Sequence, residues 1–207
     1  MNKNLFLASE AKNPVSLEKL KIYCKGFKGK TIVYVPTAAN GEFYGSWKGG
    51  ESIKVVQSLG AEVRIVELED IKFKDVLKDI KGADILWMAG GMAGYLLYWI
   101  RRVKLDTLLP QMFKRGVLYI GSSAGSMICS KTQYSSEWFI GDTEPGASLL
   151  PGLGLIDFEI YPHYDETVLP EIKKLHKRGS LYLLKDGEAI VVENNSIKVL
   201  GDERILS

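Results

Sequence analysis

The sequence predicts an α/β fold, a three-layer sandwich in which a mostly parallel central sheet lies between two layers of helices. Through the first two-thirds of the chain, short apolar runs alternate with amphipathic segments of helical period. Such alternation is typical of parallel sheets covered by helices on both faces. The chain has 207 residues, 46% of them hydrophobic and 25% charged, which suits one domain with a sizeable core. We therefore expect a single domain over residues 1–207.

The predicted strands are short runs rich in β-branched and other apolar residues. Those expected in the parallel part of the sheet lie at residues 5–8, 31–35, 62–68, 84–88 and 117–120. The third of them alternates polar and apolar residues, which is typical of a strand nearer the sheet edge. Four later runs are predicted as short strands, including a terminal hairpin, at residues 158–161, 181–184, 189–192 and 197–200.

Helical spacing of apolar residues predicts the segments between these strands. The helices are expected at residues 16–25, 51–59, 72–80, 95–103, 107–114 and 170–177. Ser16 is a suitable N-cap for the first helix, and Gly60 is placed to end the second. Residues 131–155 are rich in polar and turn residues, which predicts a long loop over the site described below.

The charge balance argues against two classes of partner. The 27 basic and 25 acidic residues are interspersed and give a net charge of +2, so neither a nucleic acid nor an anionic membrane is indicated. The N-terminal apolar run is too short for a secretion signal, and the uncharged run at residues 85–100 is too short for a membrane span. We expect a cytoplasmic protein. Its two cysteines form no disulfide framework, and Cys129 is expected to pack rather than react.

A candidate nucleophile follows the fifth predicted strand. The sequence Gly-Ser-Ser-Ala-Gly at residues 121–125 fits the pattern G-x-S-x-G in one register, with Ser123 in the middle. In a nucleophile elbow the central residue occupies a tight strand-to-helix turn, and small neighbours such as Ser122 let the backbone approach a substrate. The N–H of Ala124 would then lie at a helix start, where it is placed to stabilise an oxyanion.

A serine nucleophile needs a base and an orienting acid. Of the two histidines, His176 lies among cationic residues late in a predicted helix, whereas His163 follows a predicted strand and is the candidate base. Asp186 and Glu188, between two short strands, both qualify as the acid, although an Asp-Gly turn explains them equally well. The resulting order of serine, histidine and acid differs from that of α/β-hydrolases, which disfavours that fold.

The second oxyanion donor is expected from Gly90-Gly91, which follow the predicted strand at residues 84–88. Glycine lets a backbone N–H turn toward the site without steric cost. A phosphate-binding loop is the alternative, but this segment lacks the spacing of a dinucleotide fingerprint and a Walker lysine. No cluster has metal-ligand spacing, so no metal is expected.

Four segments together resemble the dipeptidase E group, peptidase family S51. They are Val35-Pro36-Thr37-Ala38-Ala39, Met88-Ala89-Gly90-Gly91, Tyr119-Ile120-Gly121-Ser122-Ser123-Ala124-Gly125 and Tyr161-Pro162-His163-Tyr164. The resemblance implies a flavodoxin-like sheet related to class I glutamine amidotransferases, with serine in place of their cysteine. It also implies a serine hydrolase that acts on small peptides without a cofactor.

The resemblance also assigns roles to particular residues. Ser123 matches the nucleophile, His163 the base, and Gly91 the turn that supplies an oxyanion donor. Residues 184–187 are similar to the segment that carries the acidic third member, usually glutamate. Asp186 is therefore the first choice for that member, with Glu188 in reserve.

Two departures from the family pattern concern the substrate. Met92 stands where the family often has asparagine, and residues 165–171 contain no arginine to read an aspartyl side chain. Aspartyl preference is therefore open, and the β-aspartyl-arginine linkage cut by the related cyanophycinase is an alternative. Gly90, Met92 and Ser122 are the candidate substrate-binding residues.

Two other kinds of protein remain as alternatives to a peptidase. The first is a binding protein that keeps the fold without hydrolysing anything, and the second is a glutamine amidotransferase. The sequence does not show the oligomeric state, and a homodimer is kept as a candidate assembly.

Overall fold

A seven-stranded sheet runs through the molecule, in a computed structural model that describes residues 3–42, 47–72, 75–194 and 196–207. Its strand order is β3-β2-β4-β5-β1-β8-β9. The strands of the described residues are β1 (Asn4–Ala8), β2 (Thr31–Val35), β3 (Glu62–Ile65), β4 (Ile85–Met88), β5 (Leu118–Ser122), β6 (Glu159–Tyr161), β7 (Leu181–Leu183), β8 (Ala189–Glu193), β9 (Ser196–Leu200) and β10 (Ile205–Leu206).

The pairing within this sheet is mostly parallel. β1 to β5 run parallel to one another, and the hairpin β8–β9 is added antiparallel along β1. The predicted parallel sheet and terminal hairpin are therefore confirmed. β3, predicted near the edge, is the edge strand beside β2.

Side chains of the central strands are buried on both faces of the sheet. In β1, Leu5 and Leu7 pack into one core, while Phe6 and Ala8 pack into a second core on the other face. Successive strand residues point to opposite faces, so a strand covered on both sides reads as a continuous apolar run. This explains why the alternation of apolar runs and helices predicts the three-layer fold, which is confirmed.

Helices cover both faces. They are α1 (Pro14–Tyr23), α2 (Thr37–Asn40), α3 (Glu51–Gln57), α4 (Val76–Ile80), α5 (Ala93–Arg102), α6 (Leu105–Lys114), α7 (Ala124–Met127), α8 (Tyr134–Glu137) and α9 (Leu169–Leu175). The helix predicted at residues 72–80 is the shorter α4, and residues 73–74 of that prediction lie outside the described residues. Within the described residues, no helix is both long and apolar enough to span a bilayer.

The start of α1 corrects one prediction. Asn13, not Ser16, is the N-cap, and its side chain accepts a hydrogen bond from the N–H of Val15 at 3.0 Å. Pro14 then occupies the first helical turn, where a backbone N–H would have no intrahelical acceptor, so proline costs the helix no hydrogen bond. Ser16 lies buried inside the helix. The Asn-Pro pair therefore starts the helix two residues earlier than predicted.

A second, three-stranded sheet has the order β10-β7-β6. It contains two of the short predicted strands, those at residues 158–161 and 181–184, which do not join the central sheet. Tyr161, Ile172 and Leu181 form its small core, against which Trp138 and Phe139 of the 131–155 segment pack. That segment is mostly irregular, as predicted, but includes α8 and one turn of 3₁₀ helix at Ala147–Leu149. This sheet carries the loop that contains His163.

Two glycines of the elbow are required by close packing. A Cβ at Gly125 would lie 2.4 Å from the carbonyl oxygen of Met88, and one at Gly121 would lie 2.6 Å from that of Gly125. We expect Gly125→Ala to lower the free energy of unfolding by about 2 kcal/mol or more, because backbone of β4 must move to admit the methyl group.

Urea unfolding measures this effect, with Gly49→Ala as the control. A Cβ at Gly49 meets nothing within 4 Å, so that change is expected to alter stability by less than about 0.5 kcal/mol. Equal stability of the two variants would contradict the packing argument.

Candidate active site

The candidate site lies where several strand ends meet. Because β1, β2, β4 and β5 are parallel, their carboxyl ends share one edge of the sheet, the edge at which α/β proteins bind ligands. Ser123 directly follows β5, and Gly90-Gly91 follow β4. β8 is antiparallel to β1 and begins at the same edge, which brings in the preceding Asp186. His163 arrives from the second sheet, two residues after β6.

Ser123 adopts an unusual backbone conformation, with φ 50° and ψ −115°. For a residue other than glycine, a conformation of this kind costs roughly 1–3 kcal/mol and persists only when its surroundings hold it. The Ser123 N–H donates to the carbonyl oxygens of Ala8 and Ser9 at 3.1 and 2.9 Å, and its own carbonyl accepts from Ser126 and Met127. Residue 123 thus forms the sharp strand-to-helix turn of a nucleophile elbow.

The structure brings three of the predicted residues into one hydrogen-bonded line. His163 Nε2 lies 3.0 Å from Ser123 Oγ, and His163 Nδ1 lies 2.8 Å from Asp186 Oδ1. The His163 and Asp186 side chains retain 37% and 44% exposure. A hydroxyl, an imidazole and a carboxylate in this order have the geometry to move a proton off the hydroxyl.

Glu188, the reserve candidate for the acid, points elsewhere. Its carboxylate pairs with Arg204 at 2.8 Å and accepts the N–H groups of Lys185 and Asp202 at 2.9 and 3.0 Å. Burial acts to raise the pKa of Glu188, but these partners hold it below its usual value overall. Glu188 therefore braces the turn that presents Asp186.

The other histidine and Cys129 lie apart from this line. His176 follows the end of α9, and its Nε2 lies 2.9 Å from the carbonyl oxygen of Gly179. Cys129 lies just beyond α7 and is fully buried, and burial raises its pKa to about 12. A thiol in that environment is a poor nucleophile, which disfavours the glutamine amidotransferase alternative.

The two backbone donors expected from the sequence lie in the turn after β4 and at the start of α7. Gly91 has φ 130°, and a Cβ there would lie 2.3 Å from the carbonyl group of Ala38, so residue 91 must be glycine. A Cβ at Gly90 would lie 3.1 Å from Cβ of Ser123. Within the described chain, the N–H groups of Gly91 and Ala124 have no hydrogen-bond acceptor. They are therefore the candidate donors to an anionic oxygen.

Ser123 and His163 open into a cavity of about 550 Å³. Gly90 and Ser122 line it, as expected for substrate-binding residues, although the Ser122 hydroxyl also accepts the N–H of Ala11 at 3.0 Å. Met92 is not among the described lining residues; it caps α5, and its N–H donates to Ala38. No group of three or more metal-ligating side chains occurs in the described parts of the chain.

Acidic side chains dominate the charged lining of this cavity. Glu10, Glu42, Glu51 and Asp142 line it, and Lys12 is the one lysine or arginine among the described lining residues. Lys12 is already paired, at 2.6 Å with Glu10 and at 3.3 Å with Glu51. Burial raises the pKa of Glu42, and the charge of Asp142 raises it further.

Glu144 connects the 131–155 segment to the start of α5, just after the Gly90-Gly91 turn, and the sequence analysis does not predict this contact. Its two carboxylate oxygens accept the N–H groups of Ala93 and Gly94 at 2.6 and 2.7 Å, at the start of α5. Burial raises the pKa of Glu144; the two N–H groups oppose the change, and Asp142 and Glu42 add to it. The contact holds the segment that carries Phe139 and Asp142 against the cavity.

Asp142→Asn is expected to stabilise the protein at pH 7. The change removes a negative charge that raises the folded-state pKa of both Glu42 and Glu144, so the native state tolerates their ionised forms better. Because these side chains are partly exposed, solvent screening limits the gain to a few tenths of a kcal/mol. The gain should vanish below about pH 3, where carboxyl groups are protonated in both states.

Urea unfolding from pH 3 to pH 8 tests this prediction. Glu18→Gln removes one exposed carboxylate on α1, far in sequence from the three acids, and serves as the control for net charge. A gain for Asp142→Asn that does not depend on pH, or one matched by the control, would contradict the electrostatic explanation.

The sheet with a serine elbow at its carboxyl edge has the arrangement of an acyl-transfer enzyme. A family model described as Peptidase family S51 matches residues 5–200. The chain belongs to peptidase family S51, which confirms the resemblance noted in the sequence, and it is a peptidase.

Relatives support this placement along nearly the whole chain. An uncharacterized peptidase of Listeria monocytogenes, Lmo0363, is 29% identical, and the alignment covers 94% of this chain and 97% of the relative. A protein of Nostoc sp. named Peptidase E is also 29% identical, with 99% and 88% covered.

Solved structures show the same fold. A 1.5 Å crystal structure of a candidate peptidase E protein from Listeria monocytogenes superposes with a TM-score of 0.81 at 24% identity and covers all of both chains. A peptidase from an acI-B1 Actinobacterium gives a TM-score of 0.71 at 20% identity, with 100% of this chain and 95% of that chain covered. The predicted α/β fold with a mostly parallel central sheet is confirmed.

Proposed function

We propose that this protein is a serine peptidase that hydrolyses small peptides through an acyl-enzyme. The observation that carries the proposal is the line from Ser123 through His163 to Asp186, with separations of 3.0 and 2.8 Å. It lies at the wall of a cavity and beside two N–H groups that have no acceptor in the described chain.

The proposed reaction has two halves. Ser123 Oγ attacks the peptide carbonyl while His163 accepts its proton, and Asp186 holds the imidazole in the required tautomer. The N–H groups of Gly91 and Ala124 stabilise the resulting oxyanion. His163 then gives its proton to the leaving amine as the C–N bond breaks. Water, deprotonated by His163, then attacks the ester carbonyl. As the C–O bond breaks, His163 returns the proton to Ser123 Oγ, which releases the carboxylic acid and the free serine.

Replacement of the proposed nucleophile tests this function. Ser123→Ala is expected to reduce kcat/KM on a panel of dipeptides by at least about a thousandfold, because the covalent step is lost. Ser58→Ala removes an exposed hydroxyl on the surface and should leave activity unchanged. Full activity in Ser123→Ala would exclude the proposal.

Covalent labelling separates the peptidase from a binding protein that keeps the fold without hydrolysis. A fluorophosphonate should modify Ser123 of the unsubstituted protein, identified by peptide mass, and should fail to modify His163→Ala because the hydroxyl is then not activated. Absence of labelling in the unsubstituted, folded protein would favour the binding protein.

The cavity does not favour peptides with acidic side chains. Four carboxylates line the cavity, and Lys12, the one lysine or arginine among its described lining residues, is already paired with two of them. A side-chain carboxylate of a substrate placed there would meet like charges, and the described lining residues include no unpaired lysine or arginine to bind it. Neutral or basic dipeptides are therefore the proposed substrates, rather than the aspartyl dipeptides that the sequence leaves open.

Steady-state kinetics on matched dipeptides with acidic, neutral and basic side chains tests this preference. At low ionic strength, kcat/KM for the acidic members is expected to be about tenfold or more below that for the neutral ones, and salt should narrow the gap. Asp142→Asn should narrow it as well. A preference for aspartyl dipeptides would contradict this proposal and leave the hydrolytic mechanism standing.

A further inference from the structure

Ser9 contacts all three residues of the proposed triad. It directly follows β1 and is completely buried. Its hydroxyl lies 2.8 Å from Asp186 Oδ1 and 2.7 Å from the backbone nitrogen of His163. Its carbonyl oxygen accepts the N–H of Ser123 at 2.9 Å. No motif in the sequence marks this residue.

The directions of these hydrogen bonds follow from the chemistry of the partners. The backbone N–H of His163 only donates, so the Ser9 oxygen must accept it. An ionised carboxylate only accepts, so the Ser9 hydrogen must point to Asp186. One hydroxyl therefore uses its single proton and one lone pair to join two side chains of the triad.

The two partners need such support. His163 has a φ of 53°, in the left-handed region that residues other than glycine seldom occupy. Asp186 lies in a turn with 44% of its side chain exposed, and its hydrogen bonds within the described chain go to His163 and Ser9. Ser9 is the buried, strand-anchored member of this group, so it sets where the exposed carboxylate points.

We propose that Ser9 is a positioning residue that holds Asp186 against His163 and so raises the rate of the chemical step. The proposal rests on the proposed serine peptidase function. A positioning residue affects kcat through Asp186, so its effect depends on whether Asp186 is present. A serine that only packs in the core would have an effect on kcat that does not depend on Asp186.

A double-mutant cycle on kcat and KM tests the proposal. Ser9→Ala should lower kcat by about 10- to 100-fold and change KM by less than about twofold, within the range of coupling seen between residues of one hydrogen-bond network. In the Asp186→Ala background, the fold-loss of kcat caused by Ser9→Ala should be at least about five times smaller than the fold-loss that it causes in the unsubstituted protein.

Ser136→Ala is the matched control. Ser136 is also buried, and its hydroxyl lies 3.3 Å from Oε1 of Gln133, without a described contact to the His163 or Asp186 side chain. It should lose stability without a comparable loss of kcat. Should Ser9→Ala fail to fold, Ser9→Cys keeps a similar size with a weaker donor and should still show reduced kcat with near-normal KM.

The outcomes distinguish this proposal from the function on which it rests. If Asp186→Ala keeps full activity, the proposed triad itself is wrong. If Asp186→Ala is impaired but Ser9→Ala is fully active, or is equally harmful with and without Asp186, the positioning role is overturned and the peptidase function stands.

Discussion

The parallel pairing of β1 with β5 is the constraint on which the candidate site depends. In this register Ala8 lies beside Ser122, so the residues that follow, Ser9 and Ser123, leave the sheet side by side. The carbonyl groups at the end of β1 accept the N–H of Ser123 and hold its strained backbone. A shift of one residue in this pairing would turn each side chain of β1 to the opposite face and would separate the two serines.

Local patterns predict the parts of the site that depend on local structure. The G-x-S-x-G pattern after an apolar run locates Ser123, and the choice between two histidines favours His163 because only one follows a strand. At residue 91 the backbone requires the glycine that the sequence supplies, since a φ of 130° excludes a side chain there.

Long-range contacts decide what the sequence leaves open. Asp186 and Glu188 occupy the same turn, and the sequence pattern does not distinguish them. In the structure Arg204, 16 residues beyond Glu188, forms an ion pair with Glu188 and leaves Asp186 to His163. Ser9 lies 154 positions from His163, and a lone serine after a strand gives no signal of such a contact. The second sheet is missed for a related reason. The sequence predicts its short strands, but which strands they pair with is determined by the packing around Tyr161 and Leu181.

The spacing of these contacts along the chain also bears on how the protein is made. Ser9 and Asp186, which share a hydrogen bond, are 177 positions apart, with the elbow and His163 between them. A growing polypeptide that already contains the elbow still has no aligned acid, because β8 has not yet joined the sheet. The proposed mechanism therefore requires the docking of that late hairpin, which is the last element of the chain to align a member of the triad.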